Sequence, residues 1–236
     1  MKKMMKKFVT YGVVGLSILT CSTFAHADEH TSTPPANADQ AIARLLEGNA
    51  KYVKGEFYKL SSASQPSDRT TVAAGQKPYA IIVTCSDSRV PPEILFNQGL
   101  GEIFVIRVAG NVVAPHELGS IEYAVEHIGT PKVIMVLGHE RCGAVTAAVG
   151  AHGTTVEGNI GSLIESIAPA VDTAIAENPT LTGAALVEAA CDVNVENVAV
   201  EIEHSKIVEE AIVAGKVEIV SAKYDLDNGK VSLLQH

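Results

Sequence analysis

The residues best suited to chemistry in this sequence are metal-binding types that follow two separate apolar segments. Cys85 and Asp87 follow one segment, and His139 and Cys142 follow another. Cys85 and Asp87 are two positions apart, so an extended chain points both the same way. His139 and Cys142 are three apart, so one helical turn does the same. Two thiolates, an imidazole and a carboxylate form a tetrahedral set that is suited to Zn²⁺.

Other interpretations of these residues remain open at the level of sequence. A single cysteine at the end of an apolar strand is often only a small core residue, and a disulfide between Cys85 and Cys142 is an alternative. The four side chains taken together favour a metal. Glu140 and Arg141 lie between two candidate ligands, where we expect them to be solvated, and Cys191 is expected in the core.

Arg89 bears on whether the metal site is structural or catalytic. With Asp87 bound, four protein ligands would close the site, whereas catalytic zinc sites keep a position for water. If Asp87 pairs with Arg89 instead, that position opens, because a guanidinium suits a bidentate grip on a carboxylate. The metal would lower the pKa of a bound water towards ~7. Asp87 would then accept the hydrogen bond of the hydroxide and orient it.

The elements that must position these side chains alternate along the chain. Apolar runs and turn residues predict strands at Tyr79–Thr84, Glu102–Val108 and Lys132–Leu137, and a hairpin of Val217–Tyr224 and Lys230–Leu234 around a primed turn at Asp227–Gly229. Periodicity predicts helices at Ala38–Val53, Leu118–His127, Cys142–Val149, Ile160–Glu177 and Gly183–Ala214, with a candidate break at Cys191–Asn194, and a loop at Ser61–Thr71.

This alternation predicts an α/β fold. We expect a single domain with a central, mainly parallel β-sheet flanked by helices, an N-terminal helical arm and a C-terminal β-hairpin at the edge of the sheet. Ligands of open α/β sheets bind beyond the carboxyl ends of the strands. Both metal-type pairs follow such ends, so neighbouring strands would bring them together.

Residues 1–27 have the features of a secretory signal peptide. Four lysines fall within the first seven residues, an uncharged, largely apolar run covers residues 8–20, and Ala25 and Ala27 precede Asp28 as in a cleavage site. Roughly 13 apolar residues are fewer than the ~20 needed to span a membrane. We expect a flexible tail at residues 28–37, the folded domain at residues 38–236, and a periplasmic or secreted bacterial protein.

Composition excludes several classes of partner. The 236 residues are 47% hydrophobic and 19% charged, enough for a full core, and 27 acidic against 18 basic residues give a net charge of −9. That balance argues against nucleic acid or an anionic membrane as the main partner. Four cysteines are too few for a disulfide scaffold.

The sequence resembles the β-class carbonic anhydrases over nearly the whole mature chain. Cys85–Val90 and His139–Gly143 look like the two signature segments of that family. The resemblance implies reversible hydration of carbon dioxide to bicarbonate and a proton by zinc-bound hydroxide. It also implies one Zn²⁺ per chain, held by Cys85, His139 and Cys142, with Asp87 and Arg89 as the dyad that gates the fourth position.

The same resemblance implies a substrate pocket and an oligomer. Gln76 matches the family's substrate-orienting glutamine, Phe104 and Tyr123 match aromatic positions of its carbon dioxide pocket, and Gly143 joins the substrate-binding set. Such pockets lie at a dimer interface in the family. We therefore expect a homodimer or a tetramer of dimers that takes carbon dioxide and bicarbonate as its small-molecule partners.

One departure from the family pattern bears on the state of the site. Members that close at low pH with inhibitory bicarbonate carry a tryptophan three residues before the first cysteine ligand. Here that position is Ile82, although Arg107 matches another residue of the inhibitory pocket. We therefore predict the open form, with Asp87 paired to Arg89, at neutral pH.

Competing functions differ in what they require of the two cysteines. A related enzyme of the same fold would hydrolyse CS₂ or COS, and pocket access would decide between the substrates. A non-catalytic zinc-binding protein would have a closed site, against which Arg89 and Gln76 argue. A redox protein would use Cys85 and Cys142 as a disulfide.

Overall fold

A five-stranded sheet forms the centre of the structure, a computed structural model that describes residues 33–56 and 66–234. Its strands are β1 (Ala80–Thr84), β2 (Ile103–Arg107), β3 (Val133–His139), β4 (Glu218–Tyr224) and β5 (Val231–Leu233). Their order is β2-β1-β3-β4-β5; the first four are parallel and β5 is antiparallel to β4. The predicted, mainly parallel sheet is confirmed.

Helices pack on both faces of this sheet. They are α1 (Ala38–Val53), α2 (Pro66–Val72), α3 (Pro92–Leu95), α4 (Pro115–Tyr123), α5 (Gly143–Gly150), α6 (Gly158–Glu177), α7 (Gly183–Glu203) and α8 (Lys206–Val213). A 3₁₀ turn covers Ala109–Asn111 and a π-helical turn covers Ala124–Ile128. Among residues 33–56 and 66–234, no helix is both long and apolar enough to cross a membrane.

The two central strands, β1 and β3, are buried along their whole length. Their side chains alternate between the faces of the sheet, as strand geometry requires. Ile82 and Met135 pack in the cluster that includes α1, whereas Ile81 and Ile134 pack in the cluster that includes α7 and α8. Covering on both faces explains why these strands are continuous apolar runs rather than alternating ones.

The prediction of a loop at Ser61–Thr71 was wrong in its second half, where Pro66–Val72 forms α2. Proline is favoured in the first turn of a helix because its missing N–H has no partner there anyway. Residues 61–65 lie outside the described residues. So do the predicted signal peptide at residues 1–27 and residues 28–32 of the predicted tail.

The candidate break at Cys191–Asn194 was also wrong, because α7 runs through it without interruption. Asn194 is buried, and its side-chain amide donates to the carbonyl oxygen of Gly110 at 2.8 Å. This tertiary contact satisfies a polar side chain that would otherwise favour a break. The chain breaks later, at His204 and Ser205, where Ser205 adopts an extended conformation and precedes α8.

The hairpin between β4 and β5 is confirmed, but its turn is not of the primed type. A primed turn needs positive φ at its first central residue, and type I′ needs it at both. Between Asp225 and Lys230, only Gly229 has positive φ, at 77°. The carboxylate of Asp225 accepts hydrogen bonds from the backbone amides of Asp227 and Asn228 at 2.8 and 3.1 Å, which holds the loop in a wider form.

Candidate metal centre

Cys85, His139 and Cys142 converge at the carboxyl edge of the sheet. Their ligand atoms lie within 4.8 Å of one another, and each residue is at least 96% buried. Cys85 directly follows β1, and β3 pairs with β4 as far as His139, two residues beyond its predicted end. Because β1 and β3 are neighbours, the predicted meeting of the two strand ends is confirmed.

The hydrogen bonding of His139 determines which ring nitrogen is available. Nδ1 lies 2.8 Å from the carbonyl oxygen of Glu140. A carbonyl only accepts, so Nδ1 carries the proton and the lone pair is on Nε2. Nε2 is buried and has no hydrogen-bond partner among the described residues. A buried, unpartnered lone pair beside two cysteine sulfurs fits a metal ligand. A hydrogen bond from the other ring nitrogen to a carbonyl oxygen is typical of metal-binding histidines.

The sulfur of Cys85 lies in surroundings that favour the thiolate. The neighbouring Cys142 thiol lowers the pKa of Cys85, against the effect of burial. The backbone amides of Gly110 and Asp87 donate to the Cys85 sulfur, at 3.3 and 3.4 Å. The pKa of Cys142 is raised in turn, by the neighbouring Cys85 and by burial. Thiolate is the form that binds metals, so the donor set suits Zn²⁺.

Gly110 can approach the Cys85 sulfur only because it is a glycine. Its φ is 70°, in the left-handed region that other residues rarely adopt. A Cβ at this position would lie 2.7 Å from the Cδ1 atom of Ile167. The 3₁₀ turn after β2 therefore supplies a hydrogen-bond donor to the site.

Asp87 is bound to Arg89 by three hydrogen bonds. The Arg89 amide and Nε donate to Oδ1, both at 2.9 Å, and Nη2 donates to Oδ2 at 2.7 Å. These bonds lower the pKa of Asp87 well below its usual range. Oδ2 lies 3.9 Å from Nε2 of His139, so the carboxylate borders the cluster while its hydrogen bonds are made with Arg89.

A second arginine holds the backbone of the same loop. Arg107, the last residue of β2, donates from Nε to the carbonyl oxygen of Cys85 at 3.0 Å and from Nη2 to that of Asp87 at 2.6 Å. The family resemblance associates Arg107 with an inhibitory anion pocket. In the structure its guanidinium connects β2 to the segment that carries the first cysteine.

The residues assigned to the substrate pocket are not gathered at the cluster within one chain. Gln76 precedes β1, at the end of that strand opposite to Cys85, and lines a surface cavity with Tyr123. Tyr123 is half exposed, and Phe104 lies in β2 opposite Ile81. Only Gly143 is adjacent to a ligand; it is exposed, and no neighbouring atom lies within 4 Å of where its Cβ would be.

Arg141, between the two ligands of the second segment, is not merely solvated as expected. Its guanidinium forms a bidentate pair with Asp227 at 2.9 and 3.0 Å, and its amide donates to Glu188 at 2.8 Å. Glu140 accepts from the amide of Leu226 at 3.2 Å. No local sequence pattern indicates these partners, which lie 47 to 86 positions away.

The three cysteines within the described residues are not disulfide-bonded. Cys85, Cys142 and Cys191 are free and buried, so the structure does not contain the disulfide that the redox alternative requires. Cys191 packs in an apolar cluster with parts of α5, α6 and α7, as predicted for a core residue.

A parallel α/β sheet that ends in a buried Cys-His-Cys cluster defines a metalloenzyme of the zinc-binding class. The family model described as "Carbonic anhydrase" matches residues 80–231. The chain belongs to the β-class carbonic anhydrases, which are zinc enzymes, and its cluster has the chemistry to hold the metal.

Relatives resemble this chain over most of its length. "Carbonic anhydrase 2" of Mycobacterium tuberculosis is 41% identical over 207 residues, which cover 86% of this chain and 96% of that protein. "Carbonic anhydrase" of Mycolicibacterium smegmatis is 37% identical over 205 residues, with the same two coverages. The structure of Coccomyxa β-carbonic anhydrase in complex with acetazolamide has a TM-score of 0.66 at 30% identity, and the match covers 82% of this chain and 86% of that one.

Proposed function

We propose that this carbonic anhydrase catalyses the reversible hydration of carbon dioxide to bicarbonate and a proton. Cys85, His139 and Cys142 hold one Zn²⁺ per chain in this proposal. The observation that carries it is the buried three-donor cluster with an Asp87–Arg89 pair at its border. A bound Zn²⁺ supplies acidification of a coordinated water, so that a nucleophile forms near neutral pH.

The dyad has two tasks in this mechanism. Arg89 grips Asp87 through both carboxylate oxygens, which keeps the carboxylate from becoming a fourth ligand. With its pKa lowered, Asp87 stays ionised across the working pH range and can only accept hydrogen bonds. It therefore accepts the hydrogen bond of the attacking water and orients that water towards carbon dioxide. The pairing also argues against a closed, non-catalytic site.

The substrate pocket is completed, in our proposal, by a second copy of the chain. Gln76, Phe104 and Tyr123 are distributed away from the cluster within one chain, and Gln76 and Tyr123 are exposed or half exposed. A dimer that brings these side chains to the partner's cluster would give each site an amide to orient the substrate and apolar rings to bind it. The backbone at Gly143 leaves space beside Cys142 for the same purpose.

Export by a cleaved signal peptide belongs to the proposal as well. The support is the lysine-rich start, the short apolar run and the small residues before Asp28. N-terminal sequencing of protein recovered from the periplasm or the medium tests it. A mature chain that begins at Asp28 is the expected result, and an intact N-terminus in the cytoplasm would contradict it.

Stopped-flow hydration of carbon dioxide tests the activity. The zinc-loaded protein should hydrate carbon dioxide well above the buffer rate, with one zinc per chain by elemental analysis. Asp87→Ala should retain zinc but lose most of the rate, since the ligands are intact while the water is no longer oriented. A zinc-loaded wild type without a rate above background would overturn the proposal.

A further inference from the structure

The turn between the last two candidate zinc ligands has a strained residue at its centre. Arg141 has φ of 50°, in the left-handed region that residues other than glycine disfavour. It lies between His139, the last residue of β3, and Cys142, which precedes α5. A right-handed residue here would send the chain in another direction. The left-handed conformation is therefore needed for Cys142 to return to the imidazole of His139.

Three carboxylates contact Arg141, and they hold different parts of it; that of Glu140 lies 3.5 Å from Nη1 of the guanidinium. Asp227 pairs with the guanidinium, but the two side chains are 76% and 48% exposed, so water weakens that pair. Glu188 accepts the backbone amide at 2.8 Å through Oε1. Only the contact with Glu188 acts directly on the peptide group whose conformation is strained.

Glu188 is itself held in place by the strand next to β3. Its Oε2 lies 3.0 Å from Nζ of Lys223, a side chain that is 19% exposed. Lys223 is in β4, in register with Gly138 immediately before His139. It also pairs with Asp192, one helical turn after Glu188 on α7, at 2.7 Å. The carboxylate that contacts Arg141 is thus fixed between α7 and the strand that adjoins the metal-bearing strand.

Gly138 allows this close approach of α7 to β3. A Cβ at Gly138 would overlap Cγ2 of Val195, which lies on α7 two turns after Glu188. The helix therefore packs directly on the backbone beside His139. This packing, rather than a flexible side chain, sets the position of Glu188 relative to the turn.

We infer that Glu188 is a positioning residue of the zinc site. Its carboxylate holds the Arg141 amide, and with it the left-handed turn that keeps His139 and Cys142 at ligand distance. Lys223 orients the carboxylate for this contact. The role presupposes the zinc site of the proposed function, because a turn that held no metal ligands would not change metal release.

Zinc release to a chelating dye, measured on the zinc-loaded full chain, tests this role. Glu188→Leu should release zinc roughly 10- to 100-fold faster than the wild type, the usual effect of losing an outer contact of a metal site. Glu188→Gln keeps one acceptor oxygen for the two donors that the carboxylate serves, the Arg141 amide and Lys223 Nζ, so its release rate should lie between those of the wild type and Glu188→Leu. Glu203→Leu is the matched control: it removes an exposed carboxylate at the end of the same helix, fifteen residues after Glu188, and should leave release unchanged.

A double variant separates positioning from general destabilisation. Glycine adopts the left-handed conformation without strain. In an Arg141→Gly background, Glu188→Leu should therefore accelerate zinc release much less than it does in the wild-type background. Equal acceleration in both backgrounds would overturn the inference, as would wild-type release from Glu188→Leu alone.

Two further measurements keep the result interpretable. If Glu188→Leu does not fold, Glu188→Asp retains the charge for Lys223 but draws the oxygen back from the Arg141 amide, and the same faster release is expected. The thiolate-to-metal absorption of the Co²⁺-substituted wild type tests the zinc site itself. Its absence would overturn the proposed function, whereas its presence with unchanged release in every Glu188 variant would overturn only the role of Glu188.

Discussion

Two of the three candidate ligands, His139 and Cys85, have hydrogen bonds that prepare them for a cation. The Glu140 carbonyl fixes the tautomer of His139, and backbone amides from Asp87 and Gly110 stabilise negative charge on Cys85. Such outer contacts typically decide ligand orientation and basicity as much as the ligands do. At the scale of the residue, the site is therefore prepared by backbone groups that residue identities alone do not disclose.

Arg107 binds no metal in our proposal but holds the loop that carries Cys85 and Asp87, and replacing it tests whether that loop must be fixed. Arg107→Met removes two charge-assisted hydrogen bonds to the carbonyls of Cys85 and Asp87. We expect kcat/KM for carbon dioxide hydration to fall roughly 10- to 100-fold, because the loop that carries both groups is no longer fixed. Stopped-flow assays of zinc-loaded protein measure this.

Two companion variants separate the role of the planar guanidinium from that of positive charge in general. Arg107→Lys should lie between the wild type and Arg107→Met, since an ammonium retains the charge but not the planar fork. Lys216→Met removes an exposed charge remote from the site and should leave the rate unchanged. A rate for Arg107→Met equal to that of the wild type would show that the loop holds its geometry without this arginine.

At the scale of the element, α1 and the C-terminal hairpin are joined by one buried side chain. Asn49 of α1 is 3% exposed. Its amide donates to the carbonyls of Leu95 and Gly229 at 3.2 and 2.9 Å, and its oxygen accepts from the amide of Val231 at 2.8 Å. The side chain of Asn49 therefore connects α1, α3 and the C-terminal hairpin through three hydrogen bonds.

Removing the Asn49 side chain should lower the free energy of unfolding measurably. Asn49→Ala leaves buried backbone groups unsatisfied, each at a cost of about 1–3 kcal/mol in the free energy of unfolding. Urea unfolding at constant zinc concentration measures the change. Lys54→Ala, at the exposed end of the same helix, should change stability by no more than about 0.5 kcal/mol. Equal stability of the two variants would contradict the prediction.

The hairpin loop should give a pH-dependent contribution to stability. Hydrogen bonds from the amides of Asp227 and Asn228 lower the pKa of Asp225. A lowered folded-state pKa contributes stability above the unfolded value of about 3.9, and this contribution is lost as the pH falls through the folded value. Asp225→Asn should therefore be less stable than the wild type near neutral pH, and the difference should narrow below about pH 4. Urea unfolding across this range measures it, and a difference that does not change with pH would contradict it.

Local patterns predicted the elements well but predicted contacts between elements poorly. The buried strands follow from apolar runs, and the meeting of Cys85 with His139 follows from parallel neighbours. In contrast, continuity of α7 depends on the contact of Asn194 with Gly110, and the hairpin loop depends on the Asp225 carboxylate. The partners of Arg141 come from distant segments. Charge pairing across such separations leaves no periodic signal in the sequence.

At the scale of the whole molecule, the metal cluster and Gln76 lie beyond opposite ends of β1. If two copies complete each other's pockets, then a protomer that lacks ligands and a protomer that lacks Gln76 should complement one another. Cys85→Ser and Gln76→Leu should each have low activity alone. Co-expressed in equal amounts, they should recover about a quarter of wild-type activity, since half the dimers are mixed and each mixed dimer has one intact site.

Co-purification shows whether mixed dimers form in the complementation experiment. A tagged Cys85→Ser chain should co-purify with the untagged Gln76→Leu chain, which establishes that mixed dimers form. Recovery of activity in that fraction is the expected result. Mixed dimers without recovered activity would place Gln76 and the cluster of the same chain in one pocket, or remove Gln76 from the pocket altogether.

The meeting of two strand ends also has a kinetic consequence. Cys85 and His139 are 54 positions apart and come together only when β1 pairs with β3. Pairings between distant segments are slow to form, because the loop between them must be closed first. Zinc can bind fully only when Cys85, His139 and Cys142 have come together, so it stabilises the native state more than the folding transition state. Zinc should therefore slow unfolding while leaving the refolding rate nearly unchanged. The lifetime of the folded enzyme is then set by how long the metal stays bound.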